Sequence, residues 1–402
     1  MNFDENTLYN IKTSLPGMRR FLFDLAIWKN GLAFKKINFS EEGVPVIKIA
    51  ELNNGISSNT SFTKGDYGEE VRLHRGDLLF SWSGNPQTSI DVYKYQLDDG
   101  WLNQHIFKVT ANETMVSKDF LFYLLKYLKP HFTQIATNKQ TTGLGHVTIA
   151  DLKRMSIVVP EKKVQEGIVA IVKTIDDKIE VNNEINKNLQ EQMEALHRSW
   201  FIDYAPFGGA KPSNWIKADI YSIANIIYGA PFASKLFNTE GLGKPIIRIR
   251  DLKEQAFVTY TTEIHPKGHL IQPGDIVVGM DGEFRPYIWG NSEAWLNQRV
   301  CIFESKLPSD KAFMLYTIKS LLNVIEQTQV ATTVIHIGKK DYDAFEIILP
   351  DRNTLDQFGT ITTPMLERIV NNSVENKKLS KLRDALLPQL MSGDIDVSDI
   401  DL

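Results

Sequence analysis

The stretches EKKVQEGIVAIVKTIDDKIEVNNEINKNLQEQMEALHRSW (161–200) and DRNTLDQFGTITTPMLERIVNNSVENKKLSKLRDALLPQL (351–390) decide the fold. Laid over one another at an offset of 190 residues, they put apolar side chains on matching steps of four and three. The first carries Ile168, Val172, Ile175, Ile179, Leu189, Met193, Leu196 and Trp200; the second answers with Phe358, Met365, Ile369, Leu379, Leu386 and Leu390. That spacing is the seam of long helices packed side by side. Both seams are interrupted at the same two steps, by Asn182 and Asn186 in one and by Asn372 and Asn376 in the other. A buried Asn weakens a seam but fixes its register, because one alignment alone gives the amide a partner. A solvated turn is the blander reading, and the matched positions favour two helices locked together. At 1.5 Å of rise per residue, about forty helical residues span roughly 60 Å, a spacer of fixed length.

The residues ahead of each helix repeat as well. GVPVIKIAEL (43–52) alternates like a half-buried strand and matches GKPIIRIRDL (243–252) at five of ten positions. RGDLLFSWSG (75–84), a Gly-Asp turn entering an apolar strand, has its counterpart in PGDIVVGMDG (273–282). WLNQHIFKV (101–109), read as one strand, corresponds to WLNQRVCIF (295–303). The amphipathic helix DFLFYLLKYLKP (119–130) corresponds to FMLYTIKSLLNVI (313–325), and SIVVP (156–160) to EIILP (346–350). The offset drifts from 200 to 190, so length changes fall in the connecting loops, as in two related domains. YAPFGGAKPSN (204–214), rich in Gly and Pro, separates the halves.

Composition excludes several classes. With 402 residues, 43% of them hydrophobic and 23% charged, the chain reads as a soluble globular protein of two or three domains. The lone Cys301 rules out a disulfide framework and a Cys-based zinc site, and suits a reducing cytoplasm. No apolar run is long enough to cross a membrane, and the N-terminus lacks a secretory pattern. The net charge of −4 argues mildly against a blanket nucleic-acid coat, but the four Asp residues of the tail 392–402 account for all of it, so local patches and not net charge must decide.

Catalytic signatures are missing. There is no GxxxxGK[ST] phosphate loop. The GLG triplets at 143–145 and 241–243 are turns, and Asn85-Pro86-Gln87-Thr88 lacks the second Pro and the aromatic of an amino-methyltransferase motif. His105, His131, His146, His265 and His336 occur singly, without metal-ligand spacing. Binding features are richer. Lys48, Arg248 and Arg250 occupy outward positions of the repeated first strand. The loop 137–154 holds Lys139, Gln140, Thr141, Thr142, His146, Lys153 and Arg154 against the single acid Asp151. Its counterpart holds Gln329, Thr332, Thr333, His336, Lys339 and Lys340. Such residues on short loops reach base edges and phosphates, although any one of them is as readily an ordinary solvated side chain. The identical tetrapeptides Trp101–Gln104 and Trp295–Gln298 read chiefly as a shared buried turn.

In order, spacing and duplication, these elements resemble the specificity subunits of type I restriction-modification systems, over roughly 20–200 and 215–391. The resemblance rests on Gly43–Leu52 and Gly243–Leu252, on the turns Gly76–Leu79 and Gly274–Val277, and on Pro160 and Pro350 before the helices. It implies an α+β fold with a pseudo-twofold internal repeat. Two homologous target-recognition domains, 1–160 and 215–350, would be separated by two long antiparallel helices, 161–203 and 351–391, with a linker at 204–214 and an acidic tail at 392–402. Each domain would read half of an interrupted, asymmetric sequence in double-stranded DNA. The helices would set the gap and dock two modification subunits that carry S-adenosylmethionine, while restriction subunits supply ATP- and Mg-dependent translocation and cleavage. The chain itself would bind no cofactor, metal or membrane and catalyse nothing. The alternatives are a stand-alone methyltransferase or nuclease with unrecognised motifs, and a protein-binding scaffold.

Overall fold

The structure, a computed structural model, describes residues 3–140, 142–282, 284–328 and 336–397. It contains two compact units, one formed by Met1–Asp176 with Lys381–Leu402 and the other by Asp177–Ser380. The chain passes from one unit to the other at two points. The first lies inside the helix Lys162–Phe201 and the second inside the helix Arg352–Ser392.

In the first unit, Ala26–Asn30, Ile106–Ala111, Leu78–Ser81 and Asp91–Lys94 lie side by side in that order as an antiparallel sheet. A second sheet runs Phe62–Thr63, Val44–Ile47, Gly100–Leu102, Arg72–Leu73, with its central pair parallel. Gly17–Phe21 pairs with Ser156–Pro160. The other unit repeats this plan. Ala224–Tyr228, Val300–Ser305, Ile276–Gly279 and Pro286–Ile288 form one antiparallel sheet, and Lys244–Ile247 lies parallel to Ala294–Leu296 in another. Ile216–Asp219 pairs with Glu346–Leu349. Each core takes in its own share of the long helices: Ile168, Val172 and Leu390 are buried in the first unit, and Met193, Phe358 and Ile369 in the second.

Details of the repeat explain its shared residues. The Gly31 N–H donates to the Ile106 carbonyl at 3.1 Å, and Gly229 does the same to Val300 at 3.0 Å. A Cβ at Gly31 would stand 2.2 Å from the Asn103 carbonyl oxygen, and one at Gly229 2.0 Å from that of Asn297. Only hydrogen fits there. Gly229→Ala is expected to cost about 3 kcal/mol or more, since backbone and not a flexible side chain must give way. Urea unfolding of the full chain, compared with the unsubstituted protein, measures it.

Three readings of local structure need correction. The repeated stretch 43–52 is not one strand: it ends at Ile47 and turns into the short helix Ile49–Asn54, because the Glu51 carboxylate accepts from the Lys48 N–H at 3.0 Å. Asp251 takes the Arg248 N–H in the same way. Apolar spacing at 47 and 49 does not distinguish a strand from a strand followed by a capped turn. WLNQHIFKV is likewise two strands, broken where the Ile106 N–H reaches the Asn103 carbonyl at 3.1 Å. The amphipathic helix Lys118–Tyr127 is followed at once by a second, Lys129–Asn138, with Pro130 in its first turn, where a missing N–H costs nothing.

Within the second unit the long helices run antiparallel. The Asn182 amide donates to Asn376 Oδ1 at 2.8 Å and to Glu375 at 2.7 Å, and the Asn372 amide donates to Asn186 Oδ1 at 2.9 Å. All four Asn side chains are buried, so the polar steps of the seam face one another and not solvent.

Each unit also buries a neutral imidazole. Phe3 stacks on His131 in the first unit, and His197 lies among Phe201, Phe313 and Tyr316 in the second. Burial lowers both from 6.5 to about 4. The folded values lie below the unfolded ones, so the stability tied to the neutral rings is full above pH 6.5 and is lost as pH falls towards 4. Each His is worth about 3 kcal/mol across that window. Urea midpoints measured from pH 7 to 4.5 should fall steeply, and should fall less in His197→Gln.

Candidate nucleic-acid interface

In each unit three backbone segments converge at one end of the antiparallel sheet, beyond its two inner strands, and form a polar edge there. In the first, the Trp82 N–H donates to the His105 carbonyl at 3.2 Å, and the Trp82 carbonyl accepts from the Val147 N–H at 2.9 Å. Gly145–His146 then pairs with Ser83–Gly84. In the second, the Met280 N–H donates to the Arg299 carbonyl at 3.0 Å and the Met280 carbonyl accepts from the Ile337 N–H at 2.9 Å, with Asp281 bridged to His336. The scaffold is the same in both, and the side chains on it differ.

The first edge is aromatic and amide-rich. Trp82 Nε1 donates to Asn30 Oδ1 at 2.9 Å, its ring lies 5.9 Å from that of His105, and Gln104 Nε2 is 3.1 Å from His105 Nε2. The second edge is charged. Asp281 Oδ1 holds His336 Nδ1 at 2.5 Å, and Arg299 Nη1 sits 3.1 Å from both ring nitrogens of His336. Arg299 Nε is 3.7 Å from the other Asp281 oxygen. These amide, imidazole, indole and guanidinium groups can donate to and accept from base edges, and the aromatic faces can stack.

The described DNA-contact candidates from the sequence divide into three groups. His146 and His336 lie on these edges. Gln140, Thr142 and Arg250 are exposed, Thr142 with a left-handed φ of 50°. Lys48, Lys139 and Arg248 are committed inward. Lys48 Nζ donates to Ser61 Oγ at 3.0 Å, Arg248 Nε pairs with Asp251 at 3.1 Å, and Lys139 Nζ reaches the buried Asp151 at 2.6 Å. Lys48 and Arg248 cap turns instead of standing on a strand face, so their outward placement is corrected for a geometric reason: the strand has already ended. Thr141, Gln329, Thr332 and Thr333 lie outside the described residues. Asn182, Asn186, Asn372 and Asn376 sit in the helix seam described above.

Sequence reasoning passed over Trp82, Gln104, Asp281 and Arg299. The available signal was the break in identity after each WLNQ, where His105 faces Arg299 in the alignment of the repeats. Among the described residues no group of three His, Cys, Asp or Glu side chains is placed to hold a metal ion. Burial pushes the Cys301 thiol up to about 12, which makes it a core residue and not a nucleophile. No described helix is long and apolar enough to cross a membrane.

A duplicated mixed α/β unit, connected only through two long helices and carrying a different polar edge in each copy, defines a tandem recognition protein. The chain belongs to the type I restriction modification DNA specificity domain family, whose model matches residues 18–191 and again 212–382. It is 22% identical to the type I restriction enzyme HindI specificity subunit of Haemophilus influenzae, over 80% of this chain and 87% of that one. It is 29% identical to the EcoBI specificity subunit of Escherichia coli over 47% of this chain and 41% of that one. The fold is shared with the crystal structure of the type I restriction-modification S subunit from M. genitalium, at a TM-score of 0.54 and 15% identity, covering 94% of this chain and 97% of that one.

Proposed function

We propose that this chain is the DNA-reading subunit of a type I restriction-modification assembly and is not itself catalytic. Each unit reads one half of a bipartite, asymmetric sequence, and the paired helices set the unread gap between the halves. Two modification subunits dock on the helical regions and bring S-adenosylmethionine to the target adenines. Restriction subunits bring ATP and Mg. The observation that carries this reading is the duplicated edge with unlike side chains at equivalent positions, His105 against Arg299 and Ser83 against Asp281. One scaffold holding two chemistries fits two different half-sites, whereas a palindrome would ask for the same chemistry twice.

Adenine methylation mapped genome-wide, in cells with and without this chain and with the modification subunit present in both, tests it. Loss of one bipartite, asymmetric motif on deletion is the expected result. A palindromic motif would contradict it, and so would methyltransferase activity of the purified chain alone.

A further inference from the structure

Arg299 differs from the other cations around these edges in how it is held. Lys139 and Arg248 spend their charge on buried carboxylates, whose side chains are only 2% and 4% exposed. Arg299 is 52% exposed, yet its guanidinium is braced from one side by two groups. Nη1 contacts the His336 ring and Nε faces Asp281. Those two groups are themselves joined by a hydrogen bond and by the sheet bridge between their backbones. Among the described residues, Nη2 has no partner.

This is a poor arrangement for holding a phosphate and a good one for reading a base. Phosphate contact needs positive charge and tolerates a mobile side chain, but Asp281 offsets the charge of Arg299 and restricts its motion. A braced guanidinium keeps its flat fork in one orientation, and that fork matches the O6 and N7 acceptors of guanine in the major groove. The equivalent His105 has no such fork, and its neighbour Ser83 supplies no carboxylate brace.

We propose that Arg299 is a specificity-determining residue that reads one guanine in the half-site recognised by the unit Asp177–Ser380, with Asp281 and His336 as its positioning residues. His105 occupies the same place in the other unit and sets a different base there. This assignment rests on the DNA-reading function proposed above.

The test uses the full-length chain assembled with its modification subunits. Methylation motifs are determined for wild type, Arg299→Lys, Arg299→Gln, Asp281→Asn and His105→Ala. Methylation rates are then measured on short synthetic duplexes carrying each single-base change in the motif. Both Arg299 variants should lose discrimination at one G·C pair of one half-site, by about 10- to 100-fold, with the other half and the gap unchanged. Asp281→Asn should loosen the same pair by less, and His105→Ala should alter only the opposite half. Arg299→Lys keeps the charge, so it should leave the salt dependence of binding unchanged.

An unchanged motif in the active Arg299 variants overturns the assignment. So does a uniform loss of affinity across all duplexes with a shallower salt dependence in Arg299→Gln, the mark of a phosphate contact. If wild type yields no bipartite motif, the DNA-reading function fails and this assignment falls with it. A normal wild-type motif that Arg299 does not influence sinks the assignment alone.

Discussion

Inserting one heptad between Asp176 and Asp177, and another between Ser380 and Lys381, is expected to widen the unread gap of the methylation motif by about three base pairs while both half-sites stay as they were. The chain crosses between its two units only at those two points, and both crossings are helical. Seven helical residues add about 10.5 Å of rise, against about 3.4 Å for each base pair. Placing both insertions at the crossings leaves the contacts inside each unit intact, including the Asn182–Asn376 pair of one and the Arg383–Asp176 ion pair of the other. Length alone is not the whole expectation. A heptad falls about 20° short of two full helical turns, whereas three base pairs turn the duplex by nearly a third of its roughly 10.5-pair repeat. The lengthened subunit must twist to meet the displaced groove, so methylation should slow as well as shift. The same methylome mapping reads both effects. A change inside either half-site would show that the helices do more than set distance.

The long helices were the most legible part of the sequence because their signal is additive. Each seam repeats over 40 or 41 residues, and each repeat reinforces the last. Short strands carry no such redundancy. Val44–Ile47 is four residues long, and its end is decided by one carboxylate, Glu51, reaching back to the Lys48 N–H. From composition, Glu51 in a stretch of alternating apolar residues is an ordinary outward strand residue. Only the three-residue spacing from Lys48 to Glu51, repeated from Arg248 to Asp251, marks it as a cap. The duplication helped where both copies agree, as at Trp101–Gln104 and Trp295–Gln298, and was silent on why they agree.

The candidate interface was legible only in part, for a different reason. Residue type says whether a side chain can read a base, and partners decide whether it is free to. Lys139 and Arg299 look alike in a list of cations. One is drawn to Asp151, twelve positions along the chain, and the other is braced by residues 18 and 37 positions away. His146 and His336 were found because the repeat placed a His at the same point of both polar loops. Arg299 was passed over because the identity of WLNQ drew notice to the tetrapeptide and away from the residue after it.

Asp151→Ala is expected to destabilise the first unit by about 3 kcal/mol, the largest effect of any single side chain in the stretch 137–154, read from sequence as a loop but helical over Ile149–Arg154. Its carboxylate is almost fully buried and accepts from the Thr148 N–H at 2.7 Å, the Thr148 hydroxyl at 2.6 Å, Lys139 at 2.6 Å and the Tyr9 hydroxyl at 3.0 Å. Burial works to raise its pKa, and the Lys139 and Thr148 hydrogen bonds outweigh it, so the group stays below the usual carboxylate value. The depressed value means its stabilisation is present above about pH 4 and disappears below. Truncation removes the carboxylate that completes the capping box with Thr148, the N-cap of the helix Ile149–Arg154, at about 1 kcal/mol, and leaves the Tyr9 hydroxyl without its acceptor, at about 1–3 more. Lys139 is 38% exposed and can turn to water, so its loss adds little. Lys139→Ala should therefore shift the urea midpoint only slightly and leave the methylation motif untouched. Asp151→Asn, which can still accept from Thr148, should fall between the two. A motif that relaxes in Lys139→Ala would mean the lysine leaves Asp151 when DNA arrives, and the boundary drawn between inward and reading cations would have to move.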